Sequence, residues 1–482
     1  MQRAGARVAH RGRLAACLII LGLVAAALPV SGNPSTEGKV SPVPPEDLPL
    51  PRRDSGYVSS DACVECHQNE HASWHASSHR TMTQVATPES VLGEFDGAEI
   101  DSDGVTYRVF TRDGECWAEM PDPDLVMDFV QQRGRYEMMK KIPRVERRVI
   151  MTTGSHHYQT YWVAGDDEYG RLMQTLPLVY LIKDQRWIPR EKAFMRPPGG
   201  RFLTQWNHHC IKCHSTGGGP GLIDEGQRGR FETKVAELGI SCKACHGPGE
   251  DHIAYQRRIV AKQPPAGADP IVNPAKLDHK RGSQVCGQCH AVFIAANEKS
   301  VTEYATSGSS YRPGDEIHQT NYYIQQPANG GTSMRRAEFD RNKEFFRERW
   351  WDDGSILAGG REFTAVRRSA CYLKGEMSCM SCHSIHDSDP ADQLTRDLTD
   401  TRMCTQCHSD PRDTSRLSDH THHAPGSSGS NCLNCHMPYN SYALLSGVRS
   451  HQMESPRVSA SVEFDTPNAC NLCHLDQTFA WA

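Results

Sequence analysis

The chain of 482 residues carries 53 Lys and Arg against 58 Asp and Glu, a formal charge of −5 that argues against a nucleic-acid partner. Hydrophobic residues make up 38% and aromatics 7%, a little low for a conventional globular core of this length. Against that, 19 cysteines and 24 histidines are an unusual endowment.

The N-terminus reads as a secretory signal over residues 1–32. Arg3, Arg7, Arg11 and Arg13 precede an apolar run from Leu14 to Val30, and Val30 and Gly32 suit a cleavage site. Cys17 stands at the start of the apolar run and not at its end, so it belongs to the signal and is not a lipid anchor. The protein is therefore expected to be periplasmic or extracellular, with membrane contact only if this segment stays uncleaved. Removing it takes away four arginines and no acid, leaving the mature chain four charges more negative. Residues 33–56, with Pro42-Val-Pro-Pro45 and no hydrophobic periodicity, read as a flexible linker, and the folded body is expected over 57–482.

The body opens on Cys63-Val-Glu-Cys66-His67. A Cys-x-x-Cys-His pentad is the attachment site of a c-type haem. Two residues between the thiols let both sulfurs reach one edge of the macrocycle within a helical turn, and the adjacent histidine becomes an axial iron ligand. Zinc sites reuse Cys-x-x-Cys but need no histidine directly after each pair, so the repetition of the full pentad down the chain argues against them. After His67, the residues His71, His75 and His79 follow at steps of four on one helix face. They cannot all serve one iron. His71 and His75 suit a solvated face, whereas His79 is the stronger ligand candidate.

The longest pentad-free interval follows, and its texture changes. Val105, Tyr107 and Val109 alternate with polar residues, and Asp113-Gly114 supplies a turn before Cys116. Val149–Thr152, Tyr158–Val163, Leu178–Ile182 and Trp187–Pro189 look like further strands, so 95–200 reads as a β-rich insertion. Cys116 suits a buried small hydrophobe. His156-His157 sits beside a glycine turn, either as an exposed pair or facing a ligand.

Three pentads then come closer together: Cys210/Cys213/His214, Cys242/Cys245/His246 and Cys286/Cys289/His290. His208 and His209 directly precede the first of these. His252 follows His246 across Gly247-Pro248-Gly249, a turn able to swing it toward an adjacent haem. The interval 291–370 mixes arginines such as Arg335, Arg341 and Arg349 with Phe345, Phe346, Trp350 and Trp351, the pattern of a packing layer whose arginines suit propionates. Cys371 stands outside any pentad. The last four follow: Cys379/Cys382/His383, Cys404/Cys407/His408, Cys432/Cys435/His436 and Cys470/Cys473/His474, with His386, His420, His422, His423 and His451 interleaved.

Eight pentads use eight histidines, and His10 lies in the signal, so fifteen remain for at most eight distal positions. Complete bis-histidine ligation is possible, which is typical of electron carriers. With one haem per roughly fifty residues, the haems themselves are expected to be the core, held by the pentad cysteines. The expected fold is mainly short α-helices and loops wrapped around stacked haems, the β-rich insertion standing between haems 1 and 2.

These residues resemble the octahaem cytochromes of the cytochrome c-552/c-554 superfamily. The likeness is carried by Trp74-His-Ala-Ser-Ser-His79, Gly154-Ser-His-His-Tyr-Gln-Thr-Tyr-Trp162, Arg186-Trp-Ile-Pro-Arg190, Cys245-His-Gly-Pro-Gly249, Cys435-His-Met-Pro438 and Pro467-Asn-Ala-Cys470, among others. The resemblance implies electron transfer outside the cytoplasm through eight covalent haems, with His79, His252, His386, His423 and His451 as distal ligands. A redox partner with a basic docking surface fits the negative charge. Relatives also include enzymes that oxidise hydroxylamine or reduce nitrite. The alternative is therefore an oxidoreductase acting on a small nitrogen or sulfur compound at one five-coordinate haem, although a Cys-x-x-Cys-Lys pentad is absent from the sequence.

Overall fold

The computed structural model describes residues 43–482 except 103, 127–139, 194–203, 225–228, 266, 327–342, 396–400, 409–413 and 444. The signal segment, Cys17 and residues 33–42 lie outside the described residues, as do Arg335 and Arg341.

Strand, not helix, builds the largest element. Thr83–Val85 (β1), Asp96–Ser102 (β2), Val105–Arg112 (β3), Glu115–Pro121 (β4), Arg144–Thr153 (β5), Tyr158–Ala164 (β6), Met173–Leu181 (β7) and Arg186–Pro189 (β8) form one eight-stranded antiparallel sheet in the order β2 to β8, with β1 paired to β5 beyond the end of β4. The alternation in β3 is the reason it is a strand: Val105, Tyr107 and Val109 are buried while Thr106 and Arg108 face out. Asp113 and Gly114 take φ of 53° and 77°, the paired left-handed geometry of a two-residue hairpin turn, which places β3 against β4 in register.

The sheet curls until its edges approach. Ser102 Oγ of β2 donates to Glu191 Oε1 just past β8 at 3.0 Å, and Trp187 Nε1 of β8 donates to the Glu94 carbonyl before β2 at 2.9 Å. Inside lies a core of Val105, Tyr107, Val109, Met120, Tyr161, Leu176 and Tyr180. Cys116 packs against it, its thiol pushed up to about 11 by burial.

The central strands are covered on the outside as well. Ile150 and Met151 of β5, Trp162 of β6 and Met173 of β7 pack against Trp206, Ile211, Val235 and Val43. The sheet is thus a two-faced platform, and its outer face carries the chain directly into the second pentad.

Two expectations need correction. The molecule is not mainly short helices and loops around haems: a nearly closed sheet supplies its largest apolar core, and strand rivals helix along the chain. The physical reason is that the pentads specify single helical turns, whereas the long interval before the second pentad holds enough apolar side chains to build a conventional core of its own. The segment read as a flexible linker is also fixed from Val43 onward: Val43 is buried, and Leu50-Pro51 pairs in parallel with Lys234-Val235.

Helices are short and gather around the pentads: Gln68–His75 (α1), Cys242–His246 (α2), Glu250–Val260 (α3), His279–Gly287 (α4), Glu362–Val366 (α5), Thr414–Thr421 (α6) and Cys432–His436 (α7). Residues Trp206–Cys210 form a widened π-helical turn running into the second pentad. In the interval 291–370, Val292, Phe346, Trp350, Ile356 and Ala365 pack as a separate layer. Among the described residues no helix is long and apolar enough to cross a membrane.

Candidate haem-binding sites

Each pentad closes one helical turn. The backbone N–H of His67, His290, His383, His408 and His474 donates to the carbonyl of the first cysteine of its own pentad, at 2.9 Å, 3.0 Å, 3.0 Å, 2.9 Å and 2.9 Å. Pentads 3 and 7 are the helices α2 and α7 themselves. That turn sets the two sulfurs along one side and the imidazole beyond them. All sixteen pentad thiols are free of disulfides.

The imidazoles are oriented from behind. His246 Nδ1 pairs with the Val272 carbonyl at 2.7 Å, His383 Nδ1 with the Asp392 carbonyl at 3.1 Å, and His436 Nδ1 with the Glu454 carbonyl at 3.1 Å. His290 Nδ1 meets the Glu362 carboxylate at 3.0 Å. A proton held on Nδ1 leaves the Nε2 lone pair for iron. Burial, then the nearby guanidiniums of Arg361 and Arg190, brings His214 down to about 4, and burial followed by the charge of His290 brings His79 down to about 4. Both rings are therefore neutral at physiological pH, as ligation requires.

The rings pair across gaps of one size. His67 faces His252 at 6.2 Å between ring centroids, His246 faces His386 at 6.2 Å, and His290 faces His79 at 6.2 Å. His383 faces His451 at 6.3 Å, His436 faces His420 at 6.1 Å, and His474 faces His423 at 5.8 Å. Two imidazoles bound through nitrogen to one metal, with bonds of about 2.0 Å, bring their centroids to roughly 6 Å. Most pairs lie within about 30° of parallel, from 7° for His420–His436 to 31° for His423–His474; His79–His290 is tilted at 60°. Three of the far rings are held from behind too. His252 Nδ1 meets Asp269 at 2.7 Å, His423 Nδ1 the Thr421 carbonyl at 2.6 Å, and His451 Nδ1 the Arg449 carbonyl at 3.1 Å. The residues present therefore fit a haem at each of these six pairs: the thiols to bond its edge and the imidazoles to bind its iron, which would supply one-electron chemistry.

The chain matches the cytochrome c552 family over residues 178–480. It belongs to that family. Its fold is similar to that in the crystal structure of the outer cell wall cytochrome OcwA, with a TM-score of 0.54 and 15% identity over 89% of this chain and 85% of that one. No functionally curated protein matches the sequence. As a member of the cytochrome c552 family, the chain is a c-type cytochrome with covalently attached haem c.

The pentads of this cytochrome lie side by side. The sulfurs of Cys63 and Cys242 are within hydrogen-bonding reach, as are those of Cys286 and Cys379 and of Cys404 and Cys432. Gln288 Nε2 of pentad 4 donates to the Ala244 carbonyl of pentad 3 at 3.0 Å, and Gln406 Nε2 of pentad 6 to the Ser381 carbonyl of pentad 5 at 3.1 Å. The Cys435 thiol of pentad 7 is raised by burial and then by Cys470 of pentad 8. The pentads thus form a path 1–3–4–5–6–7–8. Pentad 2 joins from the side, its Cys213 sulfur beside Cys289 of pentad 4.

Cys66 of pentad 1, Cys407 of pentad 6 and Cys473 of pentad 8 are exposed, whereas the other thirteen pentad cysteines are half-buried. Cys66, Cys407 and Cys473 keep the pentad spacing and thus the reach to a haem edge.

Pentads 2 and 6 are exceptions. Among the described residues no imidazole stacks opposite His214 or His408 in the manner of the other six. His71 and His75 stack on each other at 5.8 Å, and His156 and His157 meet edge to face at 4.2 Å while remaining exposed. His208 and His209 form another edge-to-face pair, at 5.3 Å, with His209 Nδ1 at 3.3 Å from the Gln205 carbonyl. Around His214 the charges are cationic: Arg190 acts on Tyr158, His209, Cys210 and His214, and Arg361 acts on His214 as well. His214 Nδ1 is also buried with no hydrogen-bond partner among the described residues, unlike its counterparts at pentads 3, 4, 5 and 7.

Sequence reasoning did not single out His420 as a ligand, nor Asp269 and Glu362 behind the rings. His420 lies on α6 facing a pentad twelve residues away, where spacing alone does not distinguish it from His422; an acid behind an imidazole leaves no local signature.

Proposed function

We propose that this cytochrome is an exported electron carrier holding eight covalent haems, seven of them in one path and the eighth as a side branch. The observation that carries the reading is the recurrence, at six of the eight pentads, of an imidazole facing the pentad histidine at 5.8–6.3 Å. Such irons are six-coordinate in both oxidation states, so electrons pass with little ligand movement and incoming molecules meet no open position. His67/His252, His246/His386, His290/His79, His383/His451, His436/His420 and His474/His423 are the axial pairs. The N-terminal signal and the negative charge support a periplasmic or extracellular site and a partner with a basic docking surface.

A second reading, oxidoreduction of a small nitrogen or sulfur compound at pentad 2, is favoured by one observation: His214 has no facing imidazole among the described residues and feels the guanidiniums of Arg361 and Arg190, which suit a small anion.

Intact mass and carbon monoxide test both readings together. The mature holoprotein is expected to exceed its apo-chain by eight haem masses, and the reduced protein to bind carbon monoxide at two haems at most. Six or fewer haems, or carbon monoxide at three or more, overturns the carrier reading. Binding at the haem of pentad 2 together with turnover of nitrite or hydroxylamine establishes the second.

A further inference from the structure

The helix α5 starts 72 residues beyond His290, yet its first residue enters the innermost layer of that histidine's site. Glu362 Oε2 accepts from His290 Nδ1 at 3.0 Å, and Glu362 Oε1 accepts the Gly360 N–H at 2.7 Å. The backbone N–H of Phe363 then donates to the His290 carbonyl at 2.9 Å. Gly360 takes φ of +73°, a left-handed conformation that suits glycine and turns its N–H toward the carboxylate. Both carboxylate oxygens and both ends of His290 are thereby fixed.

At pentads 3, 5 and 7 the same Nδ1 position meets a neutral backbone carbonyl instead. Pentad 4 is also where the path divides, being beside pentad 2 through Cys213 and Cys289, beside pentad 3 through Gln288 and Ala244, and beside pentad 5 through Cys286 and Cys379.

We infer that Glu362 is a positioning residue that makes the haem of pentad 4 harder to reduce than its neighbours, keeping the junction from trapping electrons. This rests on the reading of His290 and His79 as its axial pair. A full negative charge on the imidazole N–H makes the ring a stronger donor and favours ferric over ferrous iron; a carbonyl, with only a partial charge, does this less. One electron arrives from a neighbouring haem and one leaves to another, while the proton stays on His290 Nδ1. A junction of higher potential would hold each electron it received; one of lower potential passes it on.

Glu362→Gln keeps the shape and removes the charge. In a potentiometric titration of the holoprotein followed by low-temperature electron paramagnetic resonance, E362Q is expected to move one low-spin signal to higher potential and leave the others in place. Glu362→Asp, which keeps the charge, is expected to return that signal toward its original potential. No movement in E362Q, or a uniform movement of every signal, overturns the inference. So does a new high-spin signal or the loss of a haem by mass in E362Q, because either makes Glu362 a requirement for ligation and not a tuner of it. Failure of the axial-pair reading is distinguishable, since it shows as a missing bis-histidine signal in the unsubstituted protein.

Discussion

The imidazole pairs divide sharply into what a sequence displays and what only folding creates. Every proximal histidine is legible because its chemistry is local: two thiols and a ring within one helical turn need no knowledge of the rest of the chain. Their partners are not local. His252 meets His67 from α3, and His79 meets His290 from just past α1, each across a long stretch of chain. The pair His67–His252 offers a direct test, because His252 is held by Asp269, which also accepts from Gln256 Nε2 at 2.7 Å. Replacing His252 with alanine removes the ring that faces His67 and leaves both thiols and His67 untouched. The variant is expected to keep its full haem mass while gaining one high-spin, carbon-monoxide-binding haem. His71→Ala is expected to leave the spectrum unchanged, since the His71 ring stacks on His75 and faces no pentad histidine. A spectrum unaltered in H252A means that the facing geometry does not reflect ligation.

Among the elements, the strands were the more readable. Alternation marked β3, and Asp113-Gly114 marked its turn, because a strand with one buried face prints a period of two on the sequence. Less readable was the extent of the sheet. All nine residues of β7 are buried, the polar Gln174 and Thr175 among them, so it carries no alternation and only its end from Leu178 reads as a strand. The balance between helix and strand was misjudged for the same reason: pentads advertise themselves, whereas a sheet covered on both faces does not. The two-sided burial has an energetic consequence. Leu176 lies in the middle of β7, fully inside the curled sheet. Leu176→Ala is expected to destabilise the protein by about 2–5 kcal/mol through lost burial and the cavity left behind. Thr106→Ala, on the exposed face of β3, is expected to fall within about 0.5 kcal/mol of the parent. Denaturant unfolding followed by tryptophan emission checks this; equal effects at the two positions contradict a core inside the sheet.

At the scale of the whole molecule, the sheet decides the shape of the path. Pentads 3 to 8 succeed one another in chain order, each beside the next, as short connections favour. Pentad 2 breaks the order because Trp206 and Ile211, which flank its first cysteine, are buried on the outer face of β5, β6 and β7. Pentad 1 then sits directly beside pentad 3, fixed there by Lys243, whose Nζ meets Ser60 Oγ at 2.7 Å and also binds Glu237. The result is a through-path with one spur, and the two kinds of position predict different losses. Removing the haem of pentad 4 by Cys286→Ala/Cys289→Ala separates pentads 1 and 3 from 5 to 8 and isolates pentad 2. Removing the haem of pentad 2 by Cys210→Ala/Cys213→Ala leaves the through-path whole. In protein films bridging two electrodes, the pentad 4 variant is therefore expected to lose far more current than the pentad 2 variant, although each lacks one haem. Carbon monoxide binding should change in the opposite sense, with only the pentad 2 variant losing a binding haem. Equal losses of current in both variants mean that electrons do not follow the contacts between pentads, and that the branch is not a feature of the working path.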